Sequence, residues 1–203
     1  METEERNLFS AAYKNLIGGR RTAYRALTAI EQKEESKSTK NVQLVKDYKK
    51  KVEAEIEKIC DEVVQVIDTT LLPKAAKLEG KVFYMKMKGD YYRYFAECTS
   101  GDKLKDVTTK AKTAYEEANK MAEELPSTDS TKLGLALNFS VFHYEILNSP
   151  ADAIKLAKTS FDSAVSQLEG LDDDQYKDSA SILQLLRDNL TLWQNENNNE
   201  NES

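Results

Sequence analysis

Seven long segments of this chain carry apolar side chains at intervals of three and four residues, and short breakers separate them. This spacing places the apolar side chains on one face of a helix, so each segment is predicted to be an amphipathic α-helix. The segments cover about residues 4–33, 39–71, 78–97, 103–124, 131–147, 151–168 and 173–193. With 7 Gly and 3 Pro among 203 residues, the chain has too few turn-forming residues to connect many short strands. We expect an all-α fold, an antiparallel bundle of about seven helices joined by short connections.

Residues at the segment ends give further signals of helix starts and stops. Thr3 is a plausible N-cap, with Glu4 and Glu5 in the first turn, and Pro150 and Gly170 flank the sixth segment. The helical domain is expected to cover residues 1–194. Residues 195–203 are Asn, Glu and Ser, which bury too little apolar surface to fold, so a disordered tail is expected there.

The chain is acidic, with a formal net charge of −6. Nucleic acid is therefore not expected as a partner, because phosphate backbones are bound by a surplus of Lys and Arg. The charge is unevenly distributed: residues 1–100 hold 19 Lys and Arg against 16 Asp and Glu, net +3, and residues 101–203 hold 10 against 19, net −9. This asymmetry permits a local cationic site within an acidic molecule.

The sequence also argues against a membrane partner and a metal site. No stretch approaches the roughly 18 apolar residues of a membrane span, and the N-terminus lacks a basic segment followed by an apolar run. We expect a cytoplasmic protein that also has access to the nucleus. Cys60 and Cys98 are isolated thiols without CxxC spacing, so both are expected to be reduced and to bind no metal.

Little in the sequence points to catalysis. His143 is the single histidine, and it lies between two aromatic residues on the most apolar segment, where a packed side chain is far more common than a catalyst. A glycine loop able to hold a nucleotide phosphate does not occur in the sequence. We expect a protein that is not an enzyme and that uses no cofactor.

Cations recur at matched spacing on two of the predicted helices. Lys14 and Arg21 are seven residues apart on the first, and Lys86 and Arg93 repeat this spacing on the third, with Tyr94 beside Arg93. Arginine binds phosphate oxygens in a bidentate manner, and a tyrosine hydroxyl adds a donor. These residues could bind a phosphoryl group. On spacing alone, the alternative is favoured that they are surface charges paired with neighbouring acids.

Two further helices each present apolar residues and an asparagine on one face. An extended peptide would fit such an amphipathic surface, because the apolar side chains receive its side chains and the amides satisfy its backbone. For Leu185 and Val141 an ordinary place in the core is an equally good interpretation. The residues are Leu137, Asn138, Val141 and Glu145 on the fifth helix, and Ile182, Leu185, Asn189 and Trp193 on the seventh.

Several runs of residues together resemble the 14-3-3 family. The resemblance covers about residues 4–193 in the family's order. Its motifs are residues 6–8 (RNL), 12–15 (AYKN), 19–21 (GRR), 86–94 (KMKGDYYRY), 133–142 (LGLALNFSVF) and 185–193 (LLRDNLTLW). The resemblance implies an all-helical, dimeric adaptor without enzymatic activity that binds phosphoserine and phosphothreonine peptides in a concave groove.

The resemblance also implies roles for individual residues. The family's phosphate pocket corresponds to Lys14, Arg21, Arg93 and Tyr94, and Lys86 would line its basic wall. Asn138 and Asn189 would hold the peptide backbone, and Glu145 would lie at the margin. The apolar wall would consist of Leu137, Val141, Ile182, Leu185 and Trp193.

The chain departs from the family at its start, because it begins at what would be the family's third helix. Tyr48, Lys51 and Glu55 match the surface that receives a partner's first helix, so we expect half an interface, able to accept a full-length 14-3-3 paralogue in a heterodimer. A fragment of a longer gene product is the simpler explanation. The alternative function is a truncated, monomeric relative that acts as a competitor or as a phosphate-independent scaffold.

Overall fold

The structure is a computed structural model, and it describes residues 3–37 and 40–201. Within these residues it contains seven α-helices and no β-strand, so the all-α fold predicted from the sequence is confirmed. A π-helical turn, Ile67–Leu71, continues the second helix, and a 3-10 turn, Leu168–Gly170, precedes the last. The helices are α1 (Thr3–Ser36), α2 (Val42–Val66), α3 (Leu78–Ala96), α4 (Gly101–Ala122), α5 (Ser130–Glu145), α6 (Pro150–Val165) and α7 (Asp173–Asn201).

The local signals at the helix ends operate in the expected way. Glu4 and Glu5 occupy the first turn of α1, where their carboxylates interact favourably with the positive end of the helix dipole. Pro150 is the first residue of α6, where its missing N–H costs no hydrogen bond. Asp129 caps α5, because its side chain accepts a hydrogen bond from the backbone N–H of Lys132 at 2.9 Å.

The end of the chain differs from the expectation of a disordered tail over residues 195–203. The helix α7 continues to Asn201, and Ser203 and its neighbour Glu202 lie outside the described residues. Glu196 accepts a hydrogen bond from the Tyr144 hydroxyl, which ties the extension to α5. A helix that has already formed adds a residue at little cost, so one such contact is enough to extend it.

The helices are arranged in two compact units. The first unit comprises residues 1–75 and 90–111, and the second comprises residues 76–89 and 112–203. The long helices α3 and α4 therefore each contribute residues to both units.

In the first unit, α1 and α2 pack as an antiparallel pair. Their side-chain partners run in opposite directions along the two helices: Glu31 pairs with Lys49, Arg20 with Glu55 at 3.3 Å, and the Tyr13 hydroxyl donates to Glu62 at 2.6 Å. Apolar residues of both helices form the buried interior of this unit. They include Ile17, Val52, Ile56, Ile59, Cys60, Val63 and Ile67.

In the second unit, α5, α6 and α7 pack around a common apolar cluster. Three alanines of α6 are fully buried, and such small side chains let neighbouring helices approach closely. Trp193 is a buried member of this cluster, and its ring stacks on Tyr144, with ring centroids 4.8 Å apart. The buried members are Leu133, Ala153, Ala157, Ala164, Leu183, Leu186, Leu190 and Trp193.

None of the helices among the described residues is both long and apolar enough to span a bilayer. Nor do those residues include a group of three or more His, Cys, Asp or Glu side chains that could hold a metal ion.

Gly89 of α3 packs closely against Tyr115 of α4, and this contact yields a prediction on stability. A Cβ atom at Gly89 would lie 2.8 Å from two ring carbons of Tyr115, which is fully buried and stacked against Phe139. Gly-to-Ala exchange in a helix usually stabilises by about 1 kcal/mol, but overpacking costs about 1–3 kcal/mol. We expect Gly89→Ala to lower the free energy of unfolding in urea, by up to about 2 kcal/mol after the helix gain is subtracted.

Gly19 provides the matched control, because an added Cβ there meets nothing within 4 Å. Gly19→Ala is expected to leave stability unchanged or to raise it. Equal stabilities of the two variants would contradict the packing at Gly89.

Candidate functional site: an arginine cluster and a polar-apolar helix face

Two arginines from different helices of the first unit bind one carboxylate. Arg21 lies in the middle of α1, and its Nε and Nη2 atoms donate to the two oxygens of Glu97 at 3.1 and 2.8 Å. Arg93 lies in the last turn of α3 and donates to the same carboxylate at 3.4 Å. Glu97 directly follows α3, so it reaches Arg93 along its own helix and Arg21 on α1.

A third arginine joins this group. Arg25 is one turn beyond Arg21 on α1 and donates to Glu97 at 3.1 Å. Asp90 lies 3.7 Å from Arg93, so three guanidinium groups face two carboxylates and the formal charge is +1. We call Arg21, Arg25, Arg93, Tyr94 and Glu97 the arginine cluster.

Tyr94 supplies both a surface and a hydrogen-bond donor to the arginine cluster. The Arg21 guanidinium carbon lies 4.0 Å from the centre of its ring, and that of Arg93 lies at 4.8 Å. Such stacking fixes the planes of the guanidinium groups. Burial, reinforced by Asp90, raises the pKa of the Tyr94 phenol to about 12, so at neutral pH the hydroxyl is protonated and can donate.

The burial of Arg93 and Glu97 distinguishes these two members of the arginine cluster from ordinary surface charges. The Arg93 residue is 6% exposed, and the Glu97 side chain is 16% exposed. Charged groups this deep in a protein require partners, since an unpaired buried charge costs several kcal/mol. Arg21 and Arg93 therefore do pair with neighbouring acids, as the alternative interpretation predicts. Arg93 and Glu97 are nevertheless largely buried and do not form an ordinary surface pair.

The structure brings together Arg21, Arg93 and Tyr94 of the residues singled out for phosphate binding. Lys14 is exposed on α1, seven residues before Arg21, and makes no ion pair with any residue that the structure describes. Lys86 belongs to the second unit, where its side chain would lie 3.4 Å from a Cβ at Gly134 of α5.

The predicted peptide-binding residues lie on α5 and α7 in the second unit. Leu185 is 51% exposed, which favours the surface interpretation over an ordinary core position. Glu145 is exposed as well, and Asn138 and Asn189 are half-buried. The half-buried apolar members pack against the unit's apolar cluster; they are Leu137, Val141 and Ile182.

Trp193 occupies a more interior position than an apolar wall residue would. It is 4% exposed and lies in the apolar cluster, with its ring stacked on Tyr144. Trp193 follows Asn189 by four residues, so the two lie only approximately on the same face of α7, and the fold turns this ring inward. Its main structural role is to anchor α7 to the apolar cluster of the second unit.

The single histidine is a packed side chain, as its surroundings in the sequence predict. His143 lies against Phe139, with ring centroids 4.7 Å apart, and is half-buried. Its desolvation lowers the pKa of the imidazole, so the ring is predominantly neutral at pH 7.

The three candidates for a subunit surface are all exposed on α2. Tyr48 is 56% exposed, Lys51 is exposed, and Glu55 forms the solvent-facing ion pair with Arg20. Leu44 lies one turn before Tyr48 and is exposed too, so the face is partly apolar.

Two members of the arginine cluster, Arg25 and Glu97, were not anticipated from the sequence. Each follows a predicted site residue by four positions: Arg25 follows Arg21, and Glu97 follows Arg93. This spacing is the signal that could have found them, because residues four apart share a helix face.

The arrangement of buried guanidinium groups with a protonated tyrosine hydroxyl is typical of the class of protein sites that bind phosphoryl groups. A family model described as "14-3-3 protein" matches residues 1–194. The chain belongs to the 14-3-3 family, whose members are adaptors and regulators of signalling, and the resemblance seen in the sequence is confirmed.

Individual relatives agree with this assignment. The chain is 55% identical over 195 residues to a 14-3-3 protein homolog of Trichoderma harzianum, with 95% of this chain and 74% of the relative covered. It is 51% identical over 198 residues to 14-3-3 protein beta/alpha of Homo sapiens, covering 97% and 80%. A third relative, the checkpoint signal transducer rad25 of Schizosaccharomyces pombe, is 54% identical over 195 residues, covering 95% and 72%.

The two cysteines provide a prediction about reactivity. Cys60 and Cys98 are buried free thiols, and desolvation raises the pKa of both, to about 12 for Cys98. The thiolate is the reactive species, so native protein at pH 8 is expected to react very slowly with a chromogenic disulfide reagent, and denatured protein to release two equivalents. Rapid labelling of the native protein would contradict this burial.

Proposed function

We propose that this protein is a phosphoserine- and phosphothreonine-peptide-binding adaptor that regulates client proteins and catalyses no reaction. The observation that carries the proposal is the convergence of Arg21 and Arg93 on one carboxylate beside a protonated tyrosine hydroxyl. In this proposal the phosphoryl group binds Arg21, Arg93 and Tyr94, and Lys14 adds a fourth positive or donor group. Membership of the 14-3-3 family supports the same assignment.

Charge accounts for discrimination between phosphorylated and unphosphorylated peptides. A phosphoryl group carries a charge of about −1.5 to −2 at pH 7, and the arginine cluster together with Asp90 carries a formal charge of +1 before Lys14 is counted. An unphosphorylated serine offers nothing to offset the desolvation of these cations, so it is rejected. The phosphoryl group is therefore proposed as the determinant of both affinity and specificity.

The residues of α5 and α7 are proposed to bind the rest of the peptide. The half-buried side-chain amides of Asn138 and Asn189 can each donate and accept, which suits a peptide backbone with unpaired N–H and C=O groups. Leu185 offers exposed apolar surface to a peptide side chain. Lys86, Leu137, Val141, Glu145, Ile182 and Trp193 complete the set that the family resemblance assigns to peptide contacts. We propose that the protein acts as an adaptor in the cytoplasm and also in the nucleus.

Fluorescence polarisation with a phosphoserine peptide and its unphosphorylated twin tests the proposal. We expect saturable binding of the phosphopeptide alone, and a loss of about 2–5 kcal/mol of binding free energy in Arg93→Ala, because truncation removes the most buried of the cations proposed to bind the phosphate. Arg93→Lys keeps the charge without the planar fork and is expected to bind with intermediate affinity.

Arg20→Ala is the matched control, since Arg20 is on the same helix as Arg21 but pairs with the exposed Glu55. It is expected to bind as wild type does. Equal binding of both peptides by the wild-type chain would favour the alternative, a competitor or scaffold that acts without phosphate.

We further propose that the exposed face of α2 binds another 14-3-3 subunit, such as a full-length paralogue. The exposed side chains of Leu44 and Tyr48, followed along the helix by the charged Lys51 and Glu55, suit a subunit contact that combines apolar and charged surface.

Sedimentation of the chain mixed with a full-length paralogue tests this contact. A one-to-one complex is expected, and Tyr48→Glu should abolish it, because the substitution places a charge in the apolar part of the face. Tyr176→Glu is the control, since Tyr176 is similarly exposed but lies on α7. A complex that survives Tyr48→Glu would exclude α2 as the contact.

A further inference from the structure

The carboxylate in the arginine cluster is unexpected for a site proposed to bind an anion. Glu97 accepts hydrogen bonds from Arg21, Arg25 and Arg93, and its negative charge would repel an incoming phosphoryl group. Simple electrostatics therefore predicts that the site would bind phosphate more tightly without it. The geometry of Arg21 argues for the opposite effect.

Glu97 uses one edge of the Arg21 guanidinium group and leaves the other edge available. The Nε and Nη2 atoms donate to the carboxylate, with distances of 3.1 Å from Nε and 2.8 and 2.9 Å from Nη2. The Nη1 atom has no hydrogen-bond partner among the residues that the structure describes. A guanidinium group carries five N–H donors in a rigid plane, so the edge formed by Nη1 and Nη2 can still bind two phosphate oxygens.

Two contacts together fix the direction of this second edge. The hydrogen bonds to Glu97 set the rotation of the guanidinium group within its plane, and the Tyr94 ring, 4.0 Å from the guanidinium carbon, sets the plane itself. The Arg21 side chain is thereby ordered before a ligand arrives. Ordering a long side chain beforehand removes an entropic cost from binding.

We propose that Glu97 is a positioning residue for phosphoryl recognition: it binds one edge of Arg21 so that the other edge receives the phosphoryl group. This inference rests on the proposed function. Glu97 also lowers the mutual repulsion of three neighbouring guanidinium groups, which keeps Arg25 and Arg93 close to Arg21 in the unliganded protein.

The decisive variant is Glu97→Gln, which keeps the shape of the side chain and removes its charge. If Glu97 positions Arg21, the phosphopeptide dissociation constant should rise about tenfold, as expected when a charge-assisted hydrogen bond is lost. If the carboxylate acts only by repulsion, affinity should rise, and an unchanged or tighter dissociation constant would overturn the inference. Glu57→Gln is the control, because it makes the same change of net charge at an acid paired with Lys103.

A double-mutant cycle with Arg21→Lys separates positioning from a general structural effect. A lysine ammonium has no second edge to direct, so in that background Glu97→Gln should leave the dissociation constant unchanged or lower it. The same tenfold loss in both backgrounds would overturn the inference.

A measurement on the wild-type chain covers the case in which a variant does not fold. The Nε–H resonance of Arg21 should stay protected from solvent exchange when the phosphopeptide is added, because that edge remains on Glu97. Loss of protection at saturation would overturn the inference. If the wild-type chain shows no preference for the phosphopeptide, the proposed function itself fails, and a wild-type preference with no effect of Glu97→Gln rejects the inference alone.

Discussion

The buried charge of Arg93 constrains the rest of the first unit. An arginine that is 6% exposed needs compensating carboxylates, and Asp90 in α3 and Glu97 directly after it provide them. The Glu97 carboxylate, which compensates the charge of Arg93, also binds Arg21, so it connects the end of α3 to the middle of α1. The arginine cluster thus holds α1 and α3 together and is also the candidate binding site. A substitution in the cluster is therefore expected to affect both stability and binding.

The sequence predicts the helices well because each is determined by local information. The apolar period, Pro150 at a helix start and the acidic first turn of α1 all act within a few residues of each other. The match to the 14-3-3 family likewise depends on runs of consecutive residues. The predicted helix bounds therefore agree closely with the structure, except where α7 extends beyond residue 193.

The site was less predictable, because its features depend on contacts between helices. Spacing shows which residues share a face, but it does not show whether that face meets solvent or another helix. Trp193 shares a predicted face with Leu185, yet the tryptophan is buried and the leucine is exposed. The four-residue spacing from Arg93 marks Glu97 as a possible partner of that arginine, but such pairs are usually ordinary surface pairs, so the spacing does not reveal the contact with Arg21.

The overall charge of the chain bears on the selectivity of such a site. Charges more than about 10 Å away are largely screened at 0.1 M salt, so a single phosphoryl group responds mainly to the arginine cluster. A polyanion such as nucleic acid extends further and would also encounter the acidic residues 101–203, whose net charge is −9, from 10 Lys and Arg against 19 Asp and Glu. Under the proposed function, an acidic chain with a small cationic cluster would therefore favour one phosphoryl group on a peptide over a continuous phosphate backbone.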